Sequence, residues 1–223
     1  MRKLLHATLL AFLLLTVSTY AQQFARNVGM TRLADGFDYP VGGGTAEGYY
    51  KSRGFRAHAH MGEDWNGKLG GDSDIGAPVN AVGHGLVVLA RDVKMGWGNV
   101  VIVRHTYMEN GRILYADSLY GHLDRIFVRE GQQVRRRQLV GTIGTGAGRY
   151  PAHLHFELRK NLAIGVLQSS FKRDFDNYFD PTQFIESHRS LQSSRKAYPI
   201  ALNTFTMLPG SPALTPKFVR QKR

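Results

Sequence analysis

Residues 153–157 read His-Leu-His-Phe-Glu, and this stretch decides the fold and locates a site. Side chains alternate between the two faces of a β-strand, so a strand would place His153, His155 and Glu157 on one face. Leu154 and Phe156 would then lie in the core on the other face. A helix would point the two imidazole rings well apart. The stretch therefore predicts a strand with a site on one face; an ordinary half-exposed strand is the alternative.

Short segments rich in Val, Ile, Leu and Tyr precede this strand and are themselves predicted to be strands. They are residues 79–93, 99–105, 112–120 and 139–143. Asn110-Gly111 lies between two of them and predicts a tight antiparallel hairpin, because both central positions of such a turn favour positive φ. A helix is expected to begin at Asp180-Pro181, where Asp can cap the first turn, and to run to about Leu191. The fold class is therefore mainly β, a single antiparallel β-sheet-rich domain with a short C-terminal helix.

A second histidine-containing stretch supplies a carboxylate. His60 and Asp64 are four residues apart, a spacing that allows both side chains to converge on a strand or on a helix. Gly62 and Gly67 argue against a helix and favour an extended segment. Imidazole and carboxylate both suit Zn²⁺, and three protein ligands leave the open fourth position of a catalytic site. Taken alone, His60 and Asp64 would be expected more often in a solvated turn.

Together these stretches resemble the lysostaphin-type zinc endopeptidases. The shared motifs are His-x3-Asp at 60–64, Tyr-x-His-Leu at 120–123 and His-Leu-His-Phe-Glu at 153–157. The resemblance covers roughly Tyr49 to Ser187, which predicts a zinc metallopeptidase domain over residues 49–187.

The resemblance implies a role for five residues. His60, Asp64 and His155 would hold one Zn²⁺ per chain, and His122 and His153 would be the catalytic pair. The sequence has no His-Glu-x-x-His helix, so the base must come from elsewhere. Which of the two histidines takes the proton, and which supports the oxyanion, stays open.

Some positions depart from the family pattern or fit no motif. Arg137 stands where the family has a turn glycine, which predicts a different turn conformation, and residues 144–152 suggest a different substrate-lining loop. Asp72 and Asp74 are expected in a solvated loop rather than at a calcium site. Tyr150 is the aromatic residue most expected to line a substrate groove. His58 is an alternative first ligand, disfavoured because its spacing to Asp64 does not fit the motif. The other histidines of the mature chain are expected to pack or to lie on the surface: His84, His105 and His188.

The two ends of the chain read differently from the middle. Residues 1–21 have a basic start, an apolar run and a small-x-small cleavage pattern, and predict a secretory signal peptide, with an uncleaved anchor as the alternative. Residues 22–48 are expected to form an irregular lead-in, and residues 188–223 a basic, loosely ordered tail. The chain has no cysteine, so no disulfide holds it together.

The net charge of +12 falls to +10 when Arg2 and Lys3 leave with the signal peptide. This charge favours anionic cell-envelope polymers over nucleic acid as partners of an exported protein, although solvated surface charge explains it equally well. The protein is expected in the periplasm or outside the cell, without a membrane span after cleavage.

The resemblance implies an exported zinc endopeptidase that cuts peptide bonds in peptidoglycan stems or cross-links, and this is the leading functional hypothesis. A catalytically silent relative that binds peptidoglycan and activates another wall hydrolase is the rival, although such proteins usually lack one or more of the five site residues. A lipoyl-type carrier domain, suggested by Gly131-x-x-Val134, is a third possibility. It is disfavoured because no attachment lysine lies at a hairpin tip there.

Overall fold

The computed structural model describes residues 27–94 and 96–206, and within them the chain is mainly β, as predicted. The strands are β1 Val28–Arg32, β2 Tyr49–Arg53, β3 Glu63–Gly67, β4 Pro78–Asn80, β5 Gly85–Asp92, β6 Asn99–Glu109, β7 Arg112–Ile126, β8 Gln133–Val134, β9 Leu139–Ile143, β10 Leu154–Arg159, β11 Tyr178–Phe179 and β12 Ala197–Ala201. One α-helix, α1, spans Pro181–Ser187, and short 3-10 turns span Gly42–Gly44 and Gln168–Ser170. The signal-peptide prediction for residues 1–21 lies outside the described residues.

Ten strands form one antiparallel sheet. Its main path has the order β2-β3-β10-β7-β6-β5-β8, with β11 paired to β10 and β9 paired to both β4 and β7. The long β6–β7 hairpin turns at Asn110 and Gly111, whose φ values are 50° and 72°. Positive φ at both positions is what the hairpin prediction required. In this sheet order β3, β10 and β7 are neighbours. Each of these strands contains or adjoins one of the three histidine motifs.

The strand predicted around residues 153–157 is β10, Leu154–Arg159, and it is buried on both faces. Leu154 and Phe156 are fully buried in the main core, as expected from their alternation. The opposite face is not open to solvent either, because Glu157 is fully buried and His155 is 7% exposed. The polar groups on that face must therefore be satisfied by one another.

The predicted helix is shorter than expected, because it ends at Ser187 rather than near Leu191. Asp180 caps its start by accepting a hydrogen bond from the Gln183 amide at 3.0 Å. At its end, the Leu191 amide donates instead to the carbonyl of Asp35 at 2.9 Å. The chain therefore leaves the helix to pack against the N-terminal region.

The two ends of the described chain pair with each other, which differs from the irregular lead-in and loose tail expected there. β1 lies within residues 22–48, β12 lies within residues 188–223, and the two form an antiparallel ladder. Phe37 and Val41 of the lead-in are fully buried in the main core. Neither segment has a sequence pattern that predicts a strand. Each strand forms its hydrogen bonds with a partner from the far end of the chain.

A buried ion pair attaches this second, two-stranded sheet to the first. Arg104 of β6 and Asp117 of β7 form a bidentate pair with N···O distances of 2.7 and 2.6 Å, and both are almost fully buried. The remaining donors of Arg104 reach the carbonyls of Ala201 at 2.6 Å and Leu162 at 3.1 Å. The guanidinium thereby satisfies one backbone acceptor at the end of β12 and another in the loop after β10.

Arg137 keeps a glycine-like turn, so the different conformation expected from its side chain is not found. Its φ is 66°, in the left-handed region that favours glycine. Its Nε donates to Oδ2 of Asp38 at 2.5 Å. The ion pair offsets the backbone strain of an arginine at this position.

Candidate metal centre

Neighbouring strands bring the two candidate ligand motifs together. His155 of β10 lies directly opposite Asp64 of β3 in the antiparallel register. Directly opposed residues in such a pair project to the same face, so the imidazole and the carboxylate meet. His60 lies in the turn before β3, four residues before Asp64, and its ring contacts the same carboxylate.

The three side chains present one donor atom each at mutual contact distance. His155 Nδ1 lies 2.7 Å and His60 Nε2 lies 3.2 Å from Oδ1 of Asp64, and the two nitrogens are 3.3 Å apart. Ligand atoms held at 2.0–2.1 Å around a tetrahedral Zn²⁺ are about 3.4 Å from each other. The donor set, two imidazoles and one carboxylate, therefore fits a zinc ion with small adjustments. All three residues are buried.

The electrostatics of the cluster favour an ionised carboxylate. Burial opposes the charge on Asp64, but hydrogen bonds from His155 and His60 outweigh burial and hold its pKa far below the usual range. Burial also opposes a proton on His155, yet its hydrogen bonds to Asp64 and Glu157 prevail and raise its pKa to about 9. A metal cation would replace the positive charge that the cluster now takes from protons.

Backbone and carboxylate acceptors fix which nitrogen each ligand offers. His60 Nδ1 lies 3.1 Å from the carbonyl oxygen of Gly54, which can only accept, so this nitrogen carries the proton and Nε2 is left for a metal. His155 is arranged in the opposite sense. Its Nε2 lies 2.8 Å from Oε1 of Glu157, which leaves Nδ1 to face Asp64.

Glu157 is a buried residue behind His155 to which sequence reasoning gave no role. It is fully buried, and Arg159 Nε donates to its Oε2 at 2.6 Å, which keeps it ionised. Burial alone would raise the pKa of Glu157, but the adjacent Arg159 and His155 outweigh burial, so the pKa of Glu157 is lowered. A carboxylate behind a ligating imidazole orients the ring and increases its basicity. Its position on the same strand face as His155 was the available signal.

The structure places His122 and His153 beside the candidate ligands. Their ring centroids are 4.9 Å apart, and the centroid of His122 is 5.7 Å from that of His155. His122 Nδ1 lies 3.2 Å from the Trp97 carbonyl and His153 Nδ1 lies 2.8 Å from the Pro151 carbonyl. In both rings Nδ1 is therefore the protonated nitrogen, and Nε2 is free to exchange protons with a substrate or a water.

The His122 ring is held in its neutral form. Burial, together with the neighbouring His155 and His153, lowers its pKa to about 4 and outweighs the opposing effects of the Trp97 carbonyl and Asp64. At neutral pH its Nε2 is therefore an acceptor.

All five predicted site residues line one open cleft of about 520 Å³. Tyr150 also lines it, as expected, with its ring centroid 4.8 Å from that of His122. Trp97, an aromatic residue that the sequence favoured less than Tyr150 as a groove residue, also lines the cleft and stacks on His122, with ring centroids 6.0 Å apart. A Cβ on Gly146 would lie 3.0 Å from His122 Nδ1, so the loop before Tyr150 needs glycine there.

The remaining histidines and the two loop aspartates do not line this cleft. His105 is fully buried between His84 and Ser118, and His188 stacks on Phe184. Asp74 is buried rather than solvated, and its Oδ2 accepts from the Gly67 amide at 2.9 Å. The contacts of His105, His188 and Asp74 are thus with neighbouring residues of the fold rather than with the cleft.

Comparison with known proteins shows the family of the chain. The family model described as Peptidase family M23 matches residues 58–165. Lipoprotein NlpD of Yersinia enterocolitica is 37% identical over 84 residues, which are 38% of this chain and 78% of that protein. Peptidoglycan DD-endopeptidase ShyA of Vibrio cholerae is 38% identical over 86 residues, 38% of this chain and 18% of ShyA. The chain belongs to peptidase family M23.

Two further matches are a relative named as an activator and a solved structure of lower sequence identity. Murein hydrolase activator NlpD of Escherichia coli is 37% identical over 84 residues, 38% of this chain and 20% of that protein. The solution structure of lysostaphin matches with a TM-score of 0.48 and 25% identity, covering 69% of this chain and 55% of that one. The chain spans about a fifth of the length of ShyA and of the E. coli relative. Family membership therefore leaves peptidase and activator roles to be distinguished.

Proposed function

We propose that this chain is an exported zinc endopeptidase that hydrolyses peptide bonds in peptidoglycan stems or cross-links. The observation that carries the proposal is the completeness of the site. His60, Asp64 and His155 offer donor atoms 2.7–3.3 Å apart, and two further histidines stand beside them without a ligand role. A purely structural zinc site would be closed by a fourth protein ligand.

The ion would supply Lewis acidity and a lowered pKa for water in the cleft. The chain's own residues supply the proton transfers. The neutral ring of His122 can accept a proton at Nε2, and His153 presents its Nε2 to the same space. One of them removes the proton from the attacking water while the other donates to the oxygen that becomes negative, and we leave the two roles shared.

The metallopeptidase unit is proposed to span residues 49–187, and the protein to act in the periplasm or outside the cell after removal of residues 1–21. Among the described residues, no helix is long and apolar enough to cross a membrane. Anionic cell-envelope polymers are proposed as secondary partners because the whole chain carries a net charge of +12.

The competing function is that of an activator that binds peptidoglycan without cutting it, suggested by the name of the E. coli relative. The two are separated by incubating the zinc-loaded chain with purified peptidoglycan and identifying soluble muropeptides by mass spectrometry. New products that disappear with His60→Ala and persist with His58→Ala, an exposed histidine outside the cleft, support the peptidase. Tight binding without any product, from a chain shown to contain zinc, would support the activator.

A further inference from the structure

Arg53 is a charged residue of the cleft that the proposed mechanism does not use. It lies at the end of β2, an edge strand, and its Cα is paired with that of Asp64 on β3. Opposed residues project to the same face of a sheet, so the guanidinium stands on the same face as the candidate ligands.

A β-bulge sets this position. The β2–β3 register shifts between Lys51 and Arg53, so an extra residue, Ser52, is accommodated there. The Ser52 hydroxyl donates to Oδ1 of Asn66 at 2.6 Å, which holds the bulge in place. Bulges re-aim neighbouring side chains, and here the shift brings Arg53 opposite Asp64.

The guanidinium is available to a ligand. Its side chain is 65% exposed, and its one ion-pair contact among the described residues is to Oδ2 of Asp64 at a long 3.9 Å. Beyond that contact, its guanidinium donates no hydrogen bond to a residue that the structure describes. Asp64 uses its Oδ1 to accept from His155 and to contact His60. Its charge is therefore already shared with the two histidines, and the Arg53 guanidinium has no close counter-charge of its own.

The charge of the cleft favours an anionic ligand. Among the described residues that line the cleft, Arg53 and Asp64 are the only ones with a formal charge, apart from the histidines. Their charges cancel, so a bound Zn²⁺ would leave the cleft with a net charge of about +2. Arginine offers a planar fork of donors that matches a carboxylate in bidentate geometry.

We propose that Arg53 binds a free carboxylate of the substrate peptide near the cleaved bond. The inference rests on the proposed peptidase function and narrows its substrate class to acidic peptides. Arg53 Nη1 is 3.9 Å from Oδ2 of the candidate ligand Asp64. Two residues of an extended chain span roughly 7 Å. The bound carboxylate therefore belongs to a residue within about two positions of the scissile bond. Amidation of that carboxylate removes the charge and one acceptor and weakens binding.

The test uses the zinc-loaded full chain and two probes made from one preparation of soluble cross-linked muropeptides. One probe is native, and the other has its carboxylates converted to amides with carbodiimide and ammonia. We expect the wild-type enzyme to cut the native probe with a kcat/KM about tenfold higher, with the difference mainly in KM. Arg53→Gln should cut both probes at the lower level, while Arg53→Lys should keep part of the preference.

Arg112→Gln is the matched control, because Arg112 is an exposed arginine at the tip of the β6–β7 hairpin; it should behave as wild type. Equal cleavage of both probes by the wild type, or an unchanged preference in Arg53→Gln, would overturn the inference while leaving the peptidase function intact. Loss of zinc from Arg53→Gln would also overturn it, because Arg53 would then act by supporting Asp64. If the wild type cuts neither probe, the proposed function itself fails.

Discussion

Oε1 of Glu157 lies 2.8 Å from Nε2 of His155, while Nδ1 of the same ring faces Asp64 at 2.7 Å. The imidazole is thus held between two carboxylates, one that would share a metal with it and one that cannot reach the metal. This relationship makes β10 a support for the site as well as a source of one ligand.

Replacing Glu157 should weaken zinc binding. In Glu157→Gln the ring of His155 loses its charged partner, and loss of such a partner costs about 10- to 100-fold in metal affinity. A competitive titration with a zinc-binding dye would measure the change.

Glu63→Gln is the control for Glu157→Gln, since Glu63 is a buried glutamate on the adjacent strand that contacts Lys51 and Thr182 instead of a ligand. Both variants should lose some stability, but only Glu157→Gln should lose zinc affinity. Equal zinc affinity in the two would show that Glu157 does not orient His155.

The fully buried His105 predicts a loss of stability in acid. Burial lowers its pKa to about 4, whereas the unfolded chain binds the proton near its ordinary pKa of 6.5. Between these values the unfolded state binds more protons, so the free energy of unfolding falls as the pH falls. A difference of this size corresponds to roughly 3 kcal/mol by pH 4. His122, whose pKa is also lowered to about 4, acts in the same direction.

Urea unfolding of the protein in EDTA, at steps from pH 6.5 to 4.5, would measure this dependence. His155 does not affect this window, because stability from a pKa raised to about 9 is complete below pH 6.5 and is lost only as the pH rises towards 9. His105→Gln should flatten the dependence. An unchanged slope in that variant would assign the acid sensitivity elsewhere.

Asp38 is predicted to matter more for stability than the unusual Arg137 that contacts it. Asp38 is fully buried, accepts a hydrogen bond from Arg136 at 2.5 Å and forms an ion pair with Arg189 at 3.0 Å. Asp38→Ala should lower the free energy of unfolding by about 3 kcal/mol, since it leaves a cluster of arginines without a counter-charge.

Arg137→Gly should change stability by less than about 1 kcal/mol. It removes an exposed ion pair but relieves a positive φ, and the two effects are of similar size. Chemical unfolding at saturating zinc compares the two variants. A larger loss in Arg137→Gly than in Asp38→Ala would mean that this arginine, rather than the buried carboxylate, anchors the lead-in.

What the sequence could predict follows from how local each signal is. The β6–β7 hairpin and β10 were predictable, because Asn110-Gly111 and the alternation around His155 are short-range patterns. The β1–β12 ladder was not, since its register pairs Val28 with Ala201 across almost the whole described chain.

The same distinction holds within the site. The five predicted site residues belong to short motifs, and the structure brings them into one cleft. Their roles stay predictions. The position of Arg53 depends on a bulge in the β2–β3 register, and the contact between Glu157 and His155 depends on burial of both faces of β10. No local pattern encodes the bulge. The alternation along β10 placed Glu157 and His155 on one face, but it did not show that burial would bring them into contact.

The central claim is an open zinc site with three protein ligands and two histidines that do not bind the metal. The most direct test measures zinc per chain together with peptidoglycan cleavage for the wild type, His155→Ala and His153→Ala. The account predicts one zinc and activity in the wild type, neither in His155→Ala, and zinc with activity reduced at least about 100-fold in His153→Ala. Full zinc and full activity in His155→Ala, or loss of zinc from His153→Ala, would contradict it.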